Sequence, residues 1–596
     1  MSTAFSYFPP SLCHRTTFLS STSWKMWPFA ESNASIVSNK RAQRARALAG
    51  TPTDGSQNHS EILKAIAHEI VSHIEKEEWT ASQVLEAYIA RAAYAQSKTN
   101  CLTEIMFESA RQRASELDAE FALTKRLKGP LHGVPVSIKD QFEIVGVDNT
   151  IGFSQWANKP GTRNADIVEY LLDAGAVPYV KTNVPQTMFA FECSNPVWGR
   201  TTNPYNDKYT CGGSSGGEAA LLAMDGSPLG IGTDIGGSLR IPAAYCGIYS
   251  LKPASGRISY AGAKGPVPGF DGIVTVAGPM GRSVADLELC SRVLFGAPGR
   301  NLSIPPVPFR DIQLQTKLKF GYYTSDNFIK ASPACQRAVL QTVESLRAAG
   351  HECVEFQLPD SHIPYSLFPA ITSSDGYKTM LSHLGPDPKE SALFLVTLGP
   401  KLPSVVRIVA SWILETFMGD KLFTEALRVT KAKSITDYWK LISQKEQYVQ
   451  RFYEEVWNAQ GFDSIIAPVQ ALPQLPHGGC DNFAALALAT ILYNVLDLPT
   501  GCLPVTRVDP GKDQLTEEWF KGPGHGSPVL EAGIYQSKNP LYNPEAMKGM
   551  PVNIQIVCKR WEEEKVLAIM DLIDGVLGKA RGFGPGAWDA YMQQST

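Results

Sequence analysis

Ser214 and Ser215 stand side by side in the glycine-flanked run YTCGGSSGGEAALLAM (209–224), and Ser238 follows in GTDIGGSLRIP (232–242). Lys139 closes the apolar stretch GVPVSIKD upstream. A serine hydroxyl near neutral pH is a weak nucleophile and needs a base beside it. These motifs contain no histidine, so the natural base is a lysine whose own charge has been suppressed. Gly236 and Gly237 ahead of Ser238 admit backbone conformations closed to other residues and let a substrate come close to the main chain. Successive N–H groups in such a loop can converge on one point, as they do in an oxyanion hole around a tetrahedral intermediate. The chemistry indicated is that of a hydrolase.

GGSSGG taken alone also fits a flexible turn or a phosphate cradle, with Ser214 or Ser215 capping the helix-like EAALLAM. A phosphate loop carries Lys-Ser or Lys-Thr after its last glycine, whereas Glu218 follows Gly217 here. The lysine base makes its own demand. From a reference pKa of about 10.4 it has to fall by roughly 3 units to be half neutral at pH 7, which costs about 4 kcal/mol. Burial must supply that shift. Val134, Val136 and Ile138 fit a buried strand, on which Asp140 points to the face opposite Lys139. His132 is an alternative base. His68-Glu69 and His73 resemble a zinc-binding helix, but a spacing of five sets the two rings about 140° apart. Cys193 and Cys211 lack a histidine partner nearby in sequence and are expected to pack.

Together, GVPVSIKD, GGSSGG and GTDIGGSLRIP resemble the amidase signature family, whose hallmark is a Ser-cisSer-Lys triad, from about Thr99 to about Leu577. The resemblance implies an α/β fold with a central mixed, twisted β-sheet covered by helices on both faces. It implies that Ser238 is the acylated nucleophile and that Ser214, after a cis Gly213–Ser214 bond, bridges it to the base Lys139. The N–H groups of Ile235, Gly236, Gly237 and Ser238 match the oxyanion hole, and Ser215, Thr233, Asp234 and Arg240 match supporting positions. The segments KTNVPQTMFAFECSNPVWGRTTNP (181–204) and YNVLDLPTGCLPVT (493–506) are most similar to fatty acid amide hydrolases and fungal acetamidase-like amidases. By that similarity Met188 offers its carbonyl near the scissile amide, Phe189 lines an acyl channel, and Ser214 touches substrate as well. The implied reaction converts a linear carboxylic amide with a hydrophobic acyl or aryl part into acid plus ammonia or amine, with no metal or organic cofactor. Two other readings stay open: the glutaminase subunit of a tRNA-dependent amidotransferase, and a catalytically silent homologue that binds.

The chain must then supply elements that hold these residues together, and 596 residues are ample for a large core. Fifty-five basic and 58 acidic residues leave a net charge of -3, which gives no electrostatic case for nucleic acid. Eleven cysteines without a CxxC pair fit reduced thiols, so the expected compartment is the cytoplasm. Residues 1–58 read as an extension. It is rich in Ser and Thr to Ser23, and its first fifty residues hold Glu31 as sole acid against Arg15, Lys25, Lys40, Arg41, Arg44 and Arg46. That composition fits a transit peptide, a disordered arm, or a start assigned too early with Met26 as the real beginning, so organelle targeting by residues 1–50 stays open. Residues 59–596 form the expected catalytic domain, opening with helices.

Ile62, Leu63, Ile66, Ile70 and Ile74 recur at helical spacing from Ser60 onward. Residues 165–184 and 335–358 each read as a helix followed by a short strand, the alternation of an α/β sheet. Residues 392–422 are apolar but carry Lys401, Arg407, Glu415 and Lys421, which predicts amphipathic helices broken at Pro403. This stretch sits where the fatty acid amide hydrolases carry a membrane-facing cap, and both core helices and peripheral membrane contact fit it. No run of about 20 uncharged apolar residues occurs, so the amino-terminal span of the animal enzymes has no expected counterpart. Residues 509–544 predict a long surface loop before the strand-like MPVNIQIVC, and 483–496 a buried helix. The sequence leaves the oligomeric state open, a homo-oligomer included.

Overall fold

The computed structural model describes residues 32–52, 60–297 and 304–595. Among the described residues, eleven strands are Leu102–Ile105 (β1), Pro135–Lys139 (β2), Val177–Thr182 (β3), Leu229–Asp234 (β4), Tyr249–Lys252 (β5), Val276–Gly281 (β6), Lys319–Tyr322 (β7), Glu352–Glu355 (β8), Ser464–Pro468 (β9), Thr500–Arg507 (β10) and Pro551–Val557 (β11). They form one sheet in the order β1-β3-β2-β4-β6-β5-β10-β11-β9-β7-β8. Its pairing is mixed: β2 runs parallel to β3 and β4, while β4 runs antiparallel to β6. The central strands β2 and β4 are buried along their whole length, and Val136, Ile138 and Ile231 supply β-branched side chains to that interior.

Helices cover both faces, as neighbouring positions on β10 demonstrate. A Cβ on Gly501 would strike Met570 and Val566 of the helix Glu563–Leu577. One residue later, Cys502 turns to the other face and its Sγ donates to the Arg240 carbonyl of the helix Arg240–Cys246. The expected helix–strand units are present as Asp166–Asp173 before β3 and Pro333–Ala348 before β8. The predicted helix from Ser60 is two helices, Ser60–Lys64 and Ala67–Glu75. The break lies at Ile66, whose extended backbone N–H is capped by Glu69, while the Ala67 N–H donates to Asp286.

The expected extension needs correction. Asn33–Leu48 is a helix, and its basic residues are anchors into the domain. Lys40 is buried between Glu104 (2.6 Å) and Asp148 (2.9 Å). Arg41 donates to the carbonyls of Val197 and Pro196, and Arg44 donates to that of Leu102 while lying over the Trp198 ring. Residues 1–31 and 53–58 of the expected extension lie outside the described residues.

Two further segments differ from expectation. Residues 391–418 do break at Pro403, with a bend of 110° between Ser391–Lys401 and Ser404–Met418, and no single described helix is long and apolar enough to cross a membrane. The core-helix reading fails, however, because the only buried residues of Ser404–Met418 are Arg407 and Ser411. Val405, Ile408, Trp412 and Phe417 face outward. Arg407 is held inside by its bond to the Gly399 carbonyl (3.0 Å). The predicted loop at 509–544 contains the short helices Glu517–Lys521 and Pro528–Glu531 and buries Trp519, Leu530, Ile534 and Tyr542. Lys330 ties it down by donating to the Gly522 carbonyl (2.7 Å). Gly511, Gly522, Gly524 and Gly526 lie in the turns outside these helices.

Candidate active site

Because β2 and β4 are parallel neighbours, Lys139 and Thr233 finish at the same edge of the sheet. The GGSSGG turn crosses that edge and enters the helix Gly216–Ala223. Gly217 permits the crossing, since a Cβ there would lie 2.3 Å from the Asn183 nitrogen. Lys139 Nζ lies 2.8 Å from Ser214 Oγ and 2.7 Å from Thr233 Oγ1. The Gly213–Ser214 bond is cis. Lys139 is fully buried, and burial pushes its ammonium down to about 7, while the more distant Asp234, Cys193 and Glu218 oppose the shift. Asp140 points to the opposite face as expected, where it accepts from Thr103, Thr150 and the Ile151 N–H.

Thr233 Oγ1 in turn donates to Gln141 Oε1 (2.7 Å), and Gln141 Nε2 donates to the Tyr260 hydroxyl (2.5 Å). Ser215 stands at the helix start without capping it. Its hydroxyl sits between the N–H and carbonyl of Thr233, and its N–H donates to the Ser238 carbonyl (3.2 Å). It thereby ties the two serine loops together. Glu218 in the same helix is buried and accepts from Ser137 (2.5 Å), and burial pushes its carboxyl up to about 8.

Asp234 and Arg240 form a buried pair with two contacts of 3.1 Å. Burial works to raise the Asp234 pKa, but the Arg240 guanidinium beside it holds the carboxyl well below the usual carboxylate range. Arg240 also donates to the Thr490 carbonyl, Gln555 and Asn494, and Asn494 donates back to Asp234 (2.7 Å). The carboxylate then orders the serine loop by accepting from the N–H groups of Gly237 (2.8 Å) and Leu239 (3.1 Å). This narrows the expected oxyanion set. At φ +118 the Gly237 amide turns to Asp234, and a side chain at that position would collide with Thr490. Among the described residues, the N–H groups of Ile235, Gly236 and Ser238 have no acceptor.

Ser238 lies where two cavities meet. One, of about 210 Å³, is walled by apolar side chains including Phe368, Leu427, Leu488 and Ile491. The other, of about 1010 Å³, is more polar and holds Ser214, Thr233, Gln141, Tyr260 and Lys264. Met188, Phe189, Ile235 and Ser238 line both. Phe189 stacks on Phe368 with ring centres 6.1 Å apart, fixing one wall of the apolar cavity. No hydrogen bond joins the Ser214 and Ser238 hydroxyls in this geometry. The helix expected at 483–496 is buried at Leu488–Val495, and its Leu488 and Ile491 supply part of that wall.

The alternative base His132 is not in this assembly. It precedes β2, whose other end carries Lys139, and its ring accepts from the Lys128 N–H and packs against Phe121. His73 pairs with Glu78 and stacks on Trp79. Cys193 and Cys211 pack as expected beneath the GGSSGG turn, both within 3 Å of where a Cβ on Gly216 would lie. Among the described residues no group of three or more His, Cys, Asp or Glu is arranged to hold a metal. Gln141, Tyr260, Thr490, Asn494 and Gln555 are site residues that the motifs did not reveal. Gln141 had a signal, since it follows Lys139 by two positions; the other four arrive from distant segments.

An amidase family model matches residues 83–567. The chain is 35% identical to fatty-acid amide hydrolase 1 of Sus scrofa over 534 residues, 88% of this chain and 87% of that one. It is 33% identical over 539 residues to an acetamidase of Emericella nidulans, covering 88% and 91% of the two chains. Among solved structures, a fatty acid amide hydrolase matches with a TM-score of 0.77 at 27% identity, over 92% of this chain and 91% of that chain.

Proposed function

As the chain belongs to the amidase family and hydrolyses amides, we propose that it does so through an acyl-enzyme on Ser238, with Lys139 as base and Ser214 as the relay between them. The observation carrying this reading is a fully buried lysine 2.8 Å from Ser214 Oγ, with hydroxyls and no carboxylate as its partners. Neutral Lys139 takes the Ser214 proton while Ser214 takes that of Ser238, whose Oγ attacks the amide carbonyl carbon. The carbonyl oxygen becomes an oxyanion, stabilised by the N–H groups of Ile235, Gly236 and Ser238. The proton returns along the same path to the amide nitrogen, the C–N bond breaks, and amine or ammonia leaves. Water then attacks the ester, delivers its proton by the same relay, and releases the acid.

The apolar cavity at Ser238 supports an amide with a hydrophobic acyl or aryl part. Burying each methylene there contributes about 0.8 kcal/mol. That cavity also weighs against the glutaminase reading, since the charged α-amino and carboxylate groups of glutamine would find no partner among Phe368, Leu488 and Ile491. The test is hydrolysis of acetamide, decanamide and an acyl p-nitroanilide by the wild type, Ser238→Ala and Lys139→Met. The expected result is turnover favouring decanamide, with losses of about 10³ or more in kcat for both variants. Retained activity in Ser238→Ala rejects the nucleophile, and a preference for acetamide rejects the hydrophobic substrate.

A further inference from the structure

The polar cavity meets the apolar one at Ser238, and among the described charged groups of its lining Lys264 Nζ is the one with no hydrogen-bond partner. Lys264 lies in the loop GAKGPVPG (262–269), which is fixed against the base network by two main-chain bonds. Its N–H donates to the Gln141 carbonyl (2.8 Å), and its carbonyl accepts from Gln141 Nε2 (3.3 Å). Gln141 is also the acceptor for Thr233, which contacts Lys139. The loop is thus two residues removed from the catalytic amine. The half-buried Lys264 ammonium has no carboxylate within 4 Å among the described residues and lies over the Trp156 ring, 5.7 Å from its centre.

The other charges lining this cavity are already committed. Lys159 Nζ donates to the Gln155 carbonyl. Both oxygens of Asp375 accept backbone N–H groups, from Tyr377 and Thr379. Asp271, at the exposed rim, accepts from the Tyr438 hydroxyl. An unpaired ammonium on a rigid loop, backed by an aromatic face and opening into a cleft beside the nucleophile, is arranged to receive an anion.

Resting on the proposed acyl-serine reading, in which the acyl part fills the apolar cavity, the amine half of the substrate must extend into the polar one. From this we infer that Lys264 binds an acidic group on the leaving amine, so that amides of amino acids, with a free carboxylate beyond the scissile nitrogen, are a substrate class of this enzyme. The carboxylate gains a charge-assisted contact in a partly desolvated cleft, where Coulomb attraction is screened less than in bulk water. The contact is present in the bound substrate as well as in the transition state, so it acts mainly on KM.

Three substrates with the same acyl chain test this: N-decanoylglycine, N-decanoylethanolamine and decanamide, each with the wild type, Lys264→Met and Lys264→Arg. The expected wild-type result is a higher kcat/KM for the glycine conjugate than for the ethanolamide. In Lys264→Met the ratio of kcat/KM for N-decanoylglycine to that for N-decanoylethanolamine falls about tenfold, mostly through KM, and Lys264→Arg retains it. Hydrolysis of the two uncharged substrates without hydrolysis of the glycine conjugate, or an unchanged ratio in Lys264→Met, overturns the inference and leaves the acyl-serine reading standing. Failure on all three substrates overturns both.

Discussion

Lys40 and Lys139 are both withdrawn from solvent, yet their surroundings drive them in opposite directions. Around Lys40, burial alone would depress the pKa, but Glu104 and Asp148 outweigh it and the ammonium is held above its ordinary value. Around Lys139 the close partners are the hydroxyls of Ser214 and Thr233, which carry no charge, and burial prevails. Similar burial thus yields a firmly held cation in one place and an amine that titrates near 7 in the other. What decides between them is whether a carboxylate lies within contact distance.

The comparison can be broken most severely at Lys40. Lys40→Met leaves Glu104 and Asp148 buried without their cation, and the expected loss of stability is about 4 kcal/mol, read from urea unfolding. Because the folded pKa of Lys40 is raised, its contribution is complete below the unfolded pKa of about 10.4 and fades only above it. Lys40's own charge does not change between pH 6 and pH 9, so the deficit should shrink only toward pH 6, where Glu104, raised by burial and deprived of Lys40, takes up a proton; a deficit that shrinks toward pH 9 contradicts the assignment.

Giving Lys139 what Lys40 has is the complementary experiment. Thr233→Asp sets a carboxylate beside the Lys139 amine, and an opposite charge at contact raises a pKa by about 1–3 units. The expected activity at pH 7 is lower by about 10², with partial recovery as pH rises above 9. Equal loss at both pH values would mean that the substitution harms the site by another route.

The smallest effect sharpens the contrast without any substitution. With the Lys139 ammonium pushed down to about 7, the neutral fraction and hence kcat/KM should rise about tenfold between pH 6 and pH 8 and then level. The sign for stability follows from the same shift. Below pH 7 the folded state must hold a buried cation or forgo a proton that the unfolded chain keeps, and this cost is relieved as pH climbs from 7 toward 10. A pH–rate profile flat from 6 to 8 is incompatible with lysine as the base.

How much of this was legible in the chain depended on sequence distance. Lys139, Ser214 and Ser238 could be found because their glycine turns and flanking strand are local, and the opposite orientation of Asp140 followed from strand alternation alone. Arg240 was named, but its partners Asn494 and Gln555 were not, because they reach it from β11 and from the helix preceding β10, and no local pattern records such a meeting. The helix Asn33–Leu48 was hidden for a similar reason: its basic composition fits a targeting arm until Glu104 and Asp148 are placed opposite it. At Ser404–Met418 the apolar stripe was legible as helical, while the side on which it lies stayed open between core and surface, since periodicity gives a stripe no inward direction.

The anchoring of Asn33–Leu48 also bears on how the chain can be shortened. Starting a recombinant protein at Ser60, or at the family boundary at residue 83, would keep Lys139, Ser214 and Ser238 yet strip Glu104 and Asp148 of their Lys40 cation. Both carboxylates lie close to the segment that carries Asp140 and to the buried Lys181, whose ammonium donates to the Asp148 carbonyl (2.8 Å). A trimmed chain would thus hold these carboxylates without their Lys40 partner on the reverse side of the strand that presents Lys139, and weak activity in such a fragment would report the missing helix.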